Sequence, residues 1–168
     1  MKTTNTMVLF WRTAEIYSNW HPAAFADAGI KFSNSEQYMM WRKAALFGDQ
    51  QSAAAMLSVS DPKKLKDMGR AVKGYQEEVW ERERVDVMIR GCYLKFSQNP
   101  AMRDELLATG DRLLVEASPY DTIWGIGLDE GDPRALDQGQ WRGRNLLGHA
   151  LMQVRQMLRN EIEKSATA

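Results

Sequence analysis

A long segment of helical periodicity, from about Tyr75 to Ser97, sets the tightest limit on the architecture of this chain. Its apolar residues recur at positions i, i+3, i+4, i+7 and i+11, which is the spacing of one helical face. These residues are Val85, Met88, Ile89, Cys92 and Phe96. The opposite face carries Glu81, Glu83, Arg84 and Arg90. The segment therefore predicts a long amphipathic helix as the largest element of the fold.

The sequence on either side predicts a mainly helical α+β domain with a small β-sheet. Met7–Trp11, Phe25–Phe32 and Leu113–Glu116 have the composition of short strands, and a turn signal at Asp27 to Gly29 divides the second of them. Further helices are expected from the start signature at Ser33 to about Phe47, over roughly 50–58, from Asp61-Pro62, from Pro100 to Thr109-Gly110, and from Asn145. The last helix has an inner stripe of Leu147, Leu151, Val154 and Leu158.

Length and composition exclude several classes of protein. The 168 residues suit one domain, expected over 1–168 with its core at about 8–160. The 22 Lys and Arg residues balance 22 Asp and Glu residues, so we predict no extended nucleic-acid footprint. A signal peptide and a membrane-spanning run are both missing, and Cys92 is the only cysteine, which favours a cytoplasmic protein with no membrane partner. We predict no metal site and no cofactor.

Glu36 is the first candidate for chemistry. As the residue three after Ser33, it fits the capping pattern of a helix start, which would be a purely structural role. It also shares a helical stripe with Met40, Lys43 and Phe47. Glu36 and Lys43 are separated by about 10 Å along a helix axis, which is too far for a simple ion pair but suits two grips on an elongated ligand.

Lys95 borders the apolar stripe of the long helix. A lysine in this position ordinarily lays its stem along the core and keeps its ammonium in water. The alternative is a cation that faces a pocket. The sequence leaves both interpretations open.

The stretch from Ala117 to Arg144 is rich in Gly, Pro, Asp and Trp and has little periodicity. It holds two tryptophans and five glycines, which favours an ordered binding loop over a disordered one. Asp121 is a turn residue or a second carboxylate, and Trp124 before Gly125 offers a surface on which a base can stack. Trp141 and Arg142 precede Asn145, which is either an N-cap or part of an anion-binding helix start.

These residues describe a pocket with carboxylates, cations and aromatic rings without selecting a reaction. The chain has no Walker loop, no G-x-S-x-G and no Rossmann fingerprint. A Cys–His hydrolase is disfavoured because Cys92 lies on the apolar stripe of its helix.

Several short stretches occur in an order that is itself informative. They are Tyr17-Ser-Asn19, Ser35-Glu36-Gln-Tyr38 with Lys43 and Phe47, Met68-Gly-Arg70, Trp80, Lys95-Phe96, Leu114-Val-Glu116, Asp121 with Trp124-Gly125, and Asn145-Leu-Leu-Gly148. The ordered set resembles the YbiA-like branch of the NADAR (NAD and ADP-ribose) superfamily over roughly Tyr17 to Leu158. The chain departs from several members at Ile126, where they have an acid after Trp-Gly.

The resemblance implies a mostly helical α+β fold and hydrolysis of N-glycosidic bonds. YbiA-like proteins are associated with cleaving ribosylaminopyrimidine 5′-phosphates, intermediates of riboflavin biosynthesis, to ribose 5-phosphate and a free base. Other members are associated with removing ADP-ribose from modified guanine, so an ADP-ribosylated nucleotide is the alternative partner to a small phosphorylated ribosyl substrate. A third hypothesis is a module that binds ADP-ribose or NAD without cleaving it.

Our hypothesis for the reaction is cleavage of a ribosyl C1′–N bond through an oxocarbenium-like transition state. Glu36 activates water or stabilises the cation, and Asp121 is the second catalytic candidate. Trp124 stacks on the base. The cations and amide expected to hold phosphate and sugar oxygens are Lys43, Lys95, Arg142 and Asn145. The other expected substrate-binding residues are Tyr17, Asn19, Gly125 and Trp141.

Overall fold

A computed structural model describes residues 1–168, which divide into two compact units. The first unit comprises Met1–Ser18 and Pro100–Ala168, and the second comprises Asn19–Asn99. The strands are β1 Lys2–Thr3, β2 Met7–Phe10, β3 Phe25–Asp27, β4 Ile30–Phe32 and β5 Leu113–Glu116. The helices are α1 Ser35–Leu46, α2 Gln50–Met56, α3 Pro62–Arg70, α4 Glu77–Gln98, α5 Pro100–Ala108 and α6 Leu146–Thr167. The predicted mainly helical α+β class is confirmed, whereas a single domain over 1–168 stays a prediction.

The sheet of the first unit has the strand order β1-β2-β5. β2 pairs antiparallel with β1 and parallel with β5, with Met7 opposite Leu113 and Phe10 opposite Glu116. All four residues of β2 are buried, as expected for an apolar strand covered on both faces. The predicted inner stripe of α6 is confirmed, since Leu147, Leu151, Val154 and Leu158 are all buried. β1 was not predicted, because two polar-flanked residues carry no periodic signal.

The long segment after β5 belongs to the core of the first unit. Ile126, Leu128 and Ala135 from this segment pack in one buried cluster with residues of β2 and β5. Two short 3-10 turns, Pro133–Leu136 and Gln138–Gln140, lie within it. The prediction that this segment is ordered is therefore confirmed.

The second unit is built on α1, which packs against α2, α3 and α4. The strands β3 and β4 form an antiparallel hairpin with Phe25 opposite Phe32. Its two-residue turn places both Ala28 (φ 47°) and Gly29 (φ 84°) in the left-handed region. This is the backbone of a type I′ turn, where the twist of the turn matches that of the strands.

The predicted buried face of α4 is wrong in part. Val85 and Ile89 are only half-buried, whereas Arg84, which was assigned to the charged outer face, is 7% exposed. The buried residues form a stripe one step around the helix, through Trp80, Arg84, Gly91 and Lys95. The apolar residues of this helix are compatible with two overlapping faces, and packing against α1 selects the one that carries two cations.

None of the helices combines the length and the apolar character needed to cross a bilayer.

Candidate active site

The capping pair at the start of α1 is Asn34 and Gln37, each one position later in the chain than the Ser33 and Glu36 that the sequence pattern suggested. The N-cap is Asn34, whose side chain accepts a hydrogen bond from Gln37 N at 2.8 Å. Gln37 Oε1 in turn accepts from Ser33 N at 2.7 Å and from Ser33 Oγ at 3.0 Å. The prediction that Ser33 and Glu36 form the capping pair is therefore wrong. Helix capping therefore does not explain a glutamate at position 36, because Asn34 and Gln37 form the cap.

Glu36 is the second residue of α1 and is 5% exposed. Its backbone N–H donates to the carbonyl oxygen of Asn19 at 3.1 Å, so two of the predicted site residues are neighbours in the second unit. Asn19 is also buried. The unpaired N–H groups of a first helical turn favour negative charge, so this is a suitable place to bury a carboxylate.

Lys43 lies further along α1 in an aromatic setting. Its Nζ is 4.5 Å from the ring centroid of Tyr75 and 5.7 Å from that of Trp80. Burial lowers the pKa of Lys43, the negative charge of Glu36 acts to raise it, and Arg70 acts to lower it. Glu36 and Lys43 thus interact through space without forming an ion pair, as their spacing predicted.

Lys95 does not extend into water, so of the two interpretations that the sequence left open, the solvated ammonium is wrong. The residue is 1% exposed, with Nζ 5.2 Å from the ring centroid of Phe96. Burial lowers the pKa of Lys95 to about 8, and Cys92 acts to raise it. A buried lysine with this pKa changes charge in the physiological range, which is typical of a functional amine. Cys92 itself is buried, as predicted.

The segment from Glu116 to Leu147 in the first unit is closed on itself by backbone hydrogen bonds. Arg142 N donates to Ile126 O at 2.9 Å, Asn145 N to Gly125 O at 3.1 Å, and Leu147 N to Trp124 O at 3.1 Å. These bonds join the two ends of the loop and hold Trp124 in a fixed position.

Asp121 organises the same loop. Its Oδ1 accepts from Ile123 N at 2.9 Å and from Trp124 N at 2.8 Å. A carboxylate that receives two successive backbone N–H groups in this way forms an Asx-type turn. The structure thus shows a turn role for Asp121 directly, and its catalytic role stays a prediction.

Gly125 is required by packing. A Cβ at this position would lie 2.9 Å from the carbonyl oxygens of both Asp121 and Glu116. A larger residue would push these two backbone segments apart. Gly125 therefore lets the Trp124 turn approach the end of β5.

Asn145 is fully buried and has left-handed backbone geometry (φ 52°). Its Oδ1 accepts from Glu116 N at 3.0 Å, and its Nδ2 donates to Leu114 O at 2.9 Å. Asn145 is the N-cap residue of α6, as the sequence suggested, but its side chain makes no capping hydrogen bond. Asn145 instead fastens the start of α6 to the backbone of β5.

The remaining predicted residues of the first unit differ in exposure. Trp141 Nε1 donates to Ala135 O at 2.9 Å, and its ring packs against the core cluster. Tyr17 is buried beside Phe10, and burial raises its pKa to about 12. Arg142 is exposed.

No group of three or more His, Cys, Asp or Glu side chains is arranged to hold a metal ion. The candidate site residues of the second unit are a buried carboxylate, a half-buried lysine and a buried lysine, which lie among aromatic rings. The lysines can bind an anionic ligand, and the carboxylate can stabilise positive charge beside it.

The chain is similar to several known proteins. Residues 9–159 match the model of the NADAR domain. The chain is 40% identical to N-glycosidase R617 of Acanthamoeba polyphaga mimivirus over 146 residues, covering 84% of this chain and 86% of that protein. It is 33% identical over 141 residues to the riboflavin biosynthesis protein VVA0006 of Vibrio vulnificus, covering 84% of this chain but 35% of that longer protein.

A solved structure is also similar. The NMR structure of the Escherichia coli protein YbiA superposes with a TM-score of 0.77 at 29% sequence identity, covering 95% of this chain and 89% of YbiA.

Proposed function

Because the chain belongs to the NADAR domain family, we propose that it hydrolyses the ribosyl C–N bond of phosphorylated ribosylaminopyrimidines, intermediates of riboflavin biosynthesis. It is a hydrolase acting on N-glycosyl bonds, the class to which its named relatives belong. The proposed reaction breaks the C1′–N bond and joins the oxygen of one water to C1′. The products are ribose 5-phosphate and the free aminopyrimidine, which keeps the bonding electrons and takes a proton.

The observation that carries the proposal is the placement of Glu36. Its carboxylate is buried on the first turn of α1. It does not cap the helix, because Asn34 and Gln37 form the cap. Positive charge develops at C1′ as the C–N bond breaks. A buried carboxylate stabilises this charge more strongly than a solvated one, or it orients the attacking water.

Two amines of the same unit, the half-buried Lys43 and the buried Lys95, supply the complementary charge. Lys43 lies about 10 Å from Glu36 along the axis of α1, which leaves room for a pentose between the two. Lys95 keeps part of its population neutral because its pKa is about 8. We propose that both amines hold sugar or phosphate oxygens of the substrate.

In the first unit, we propose contact roles for Trp124, Asp121 and Arg142. Trp124 is half-buried on a turn that the loop holds in place, which suits a ring that stacks on a base. Asp121 is the second carboxylate, oriented by its two backbone hydrogen bonds. Arg142 is exposed and available to a phosphate oxygen.

The other predicted residues of the first unit have supporting roles in this proposal. Asn145, Gly125 and Trp141 use their polar atoms or their packing within the loop. We infer that they position Trp124 and Asp121 rather than contact the substrate. Tyr17 is likewise buried within its unit and is assigned a structural role.

The test is a matched substrate panel, with release of reducing sugar and of base measured together by mass spectrometry. The panel holds ribosylaminopyrimidine 5′-phosphates, NAD, ADP-ribose and an ADP-ribosylated guanine oligonucleotide. Ribose 5-phosphate released from the pyrimidines alone is the expected result. Release of ADP-ribose from the oligonucleotide alone would replace this substrate class with the other, and binding without any product would replace hydrolysis with recognition.

A further inference from the structure

The buried face of α4 carries a cation that the sequence pattern had placed in solvent. Arg84 is 7% exposed, and its Nε is buried with no hydrogen-bond partner in the protein. A buried guanidinium nitrogen without an acceptor is costly, because charged donors lose the most when they leave water unpaired. The Nε group of Arg84 thus has no hydrogen-bonding role within the protein.

The packing of α4 on α1 shows where Arg84 lies. The ring of Trp80 contacts Lys43, and Gly91 contacts the ring of Tyr38. Later residues of α4 therefore face earlier residues of α1, so the two helices are antiparallel. Arg84 follows Trp80 by one helical turn on the same buried face, which places it beside Lys43 on the side toward Glu36.

Tyr75 interacts with both Lys43 and Arg84. Lys43 Nζ lies 4.5 Å from its ring centroid. The pKa of Tyr75 is raised, first by burial and next by Glu77, and the positive charge of Arg84 acts to lower it. Lys43 lies against this ring, and the charge of Arg84 also acts on the tyrosine.

Lys43 and Arg84 each lack a direct ion-pair partner. The negative charge of Glu36 acts on Lys43, and Glu77 and Glu81 act on Tyr75, while the neighbouring Arg70 adds a third positive charge that lowers the pKa of Lys43. Arg70 pairs with Asp67, but both side chains are more than 60% exposed, so this pair screens little. Like charges held together in a half-buried setting are the signature of a site for a multivalent anion.

We propose that Lys43 and Arg84 form an anion subsite, flanked by Tyr75 and Trp80, that binds the 5′-phosphate of the ribosyl substrate. Arg70 contributes charge at its rim. This inference rests on the proposed function for the identity of the sugar phosphate, and it assigns Arg84 a binding role. The axial spacing of about 10 Å between Lys43 and Glu36 leaves room for the pentose between that lysine and the carboxylate.

The experiment measures binding of ribose 5-phosphate by isothermal titration calorimetry, so its readout does not depend on turnover. Arg84→Met removes the charge and keeps an unbranched apolar stem, which favours a folded protein. Lys43→Met is a second variant at a less buried position. Arg82→Met is the matched control, because Arg82 is an exposed arginine on the same helix. Thermal unfolding of each variant verifies the fold.

We expect Arg84→Met and Lys43→Met each to weaken Kd by about 10- to 100-fold, with Arg82→Met unchanged, because each loses one charge-assisted contact. Dephosphorylated ribose should bind all four proteins equally weakly. Folded Arg84→Met protein with the wild-type Kd would overturn the subsite, as would wild-type protein that fails to distinguish ribose 5-phosphate from ribose. Arg84-dependent binding combined with no cleavage of any ribosylaminopyrimidine would refute the proposed function and leave the subsite standing.

Discussion

The ring of Tyr38 lies directly over Gly91, and a Cβ at that glycine would be 2.7 Å from Tyr38 Cδ1. This close approach sets how α1 lies against α4. It brings Lys43 beside Trp80 and turns Arg84 and Lys95 toward the buried side. Gly91 is therefore one determinant of the packing that positions Lys43, Arg84 and Lys95.

We predict that Gly91→Ala lowers the free energy of unfolding by about 1–2 kcal/mol. The clash with a rigid aromatic ring outweighs the roughly 1 kcal/mol that alanine gains over glycine inside a helix. Urea unfolding measures the change, with Arg82→Ala on the exposed side of α4 as the control. A Gly91→Ala protein as stable as wild type would show that the two helices can separate at no cost.

Lys95 should reduce stability at neutral pH. Its pKa is about 8 in the folded chain against an ordinary 10.5, so the unfolded chain binds its proton more tightly. The stability cost is complete below pH 8 and diminishes as pH rises toward 10.5. Lys95→Met should therefore raise the free energy of unfolding at pH 7 by about 2 kcal/mol and lose activity.

The measurement for Lys95 is urea unfolding of both proteins from pH 7 to pH 10. The advantage of Lys95→Met over wild type should shrink across that range. An advantage that does not change with pH would mean that the lysine is not destabilised by burial of its charge.

Asn145 should be indispensable for the first unit. Asn145→Ala removes both hydrogen bonds to β5 and leaves Glu116 N and Leu114 O without that partner. Alanine also tolerates the left-handed backbone less well than asparagine does. We expect a loss of about 2–4 kcal/mol in the free energy of unfolding, measured against His149→Ala as an exposed control on the same helix. If Asn145→Ala keeps full stability but loses activity, the residue contacts substrate after all.

The hairpin turn of β3 and β4 offers a stabilising change. Ala28 has φ 47°, a conformation that costs an alanine about 1 kcal/mol and that asparagine adopts readily. Ala28→Asn should raise the urea midpoint at an unchanged m-value, and Ala28→Val should lower it. The opposite order would mean that this turn differs from type I′ in solution.

Local sequence patterns were sufficient to predict the elements that depend on residues close together in the chain. The apolar stripe of α6 and the hairpin signal at Asp27 to Gly29 both predicted the observed structure. Two overlapping capping patterns occur at α1, however, and the sequence could not choose between them. Asn34 and Gln37 form the cap because the Gln37 amide also donates to the carbonyls of Met56 and Val59, which lie far along the chain.

The site residues that sequence reasoning missed or misplaced are those with buried charge. Arg84 was expected in solvent because charges are rarely buried, and the sequence left the environment of Lys95 open. Only the packing of α1 on α4 shows that both are buried. One signal was available. Trp80, Arg84, Gly91 and Lys95 follow helical spacing, and a stripe that joins a tryptophan, a glycine and two cations is unusual for a solvated face.

The central claim concerns Glu36, and the most direct measurement is the rate of ribose 5-phosphate release from a ribosylaminopyrimidine 5′-phosphate. Glu36→Gln keeps the size of the side chain, so it should fold like wild type and lose about two to four orders of magnitude in kcat. Asn34→Ala is the matched comparison, since it should lose about 1 kcal/mol of stability through the helix cap and keep its turnover. Folded Glu36→Gln protein that releases ribose 5-phosphate at the wild-type rate would contradict the account.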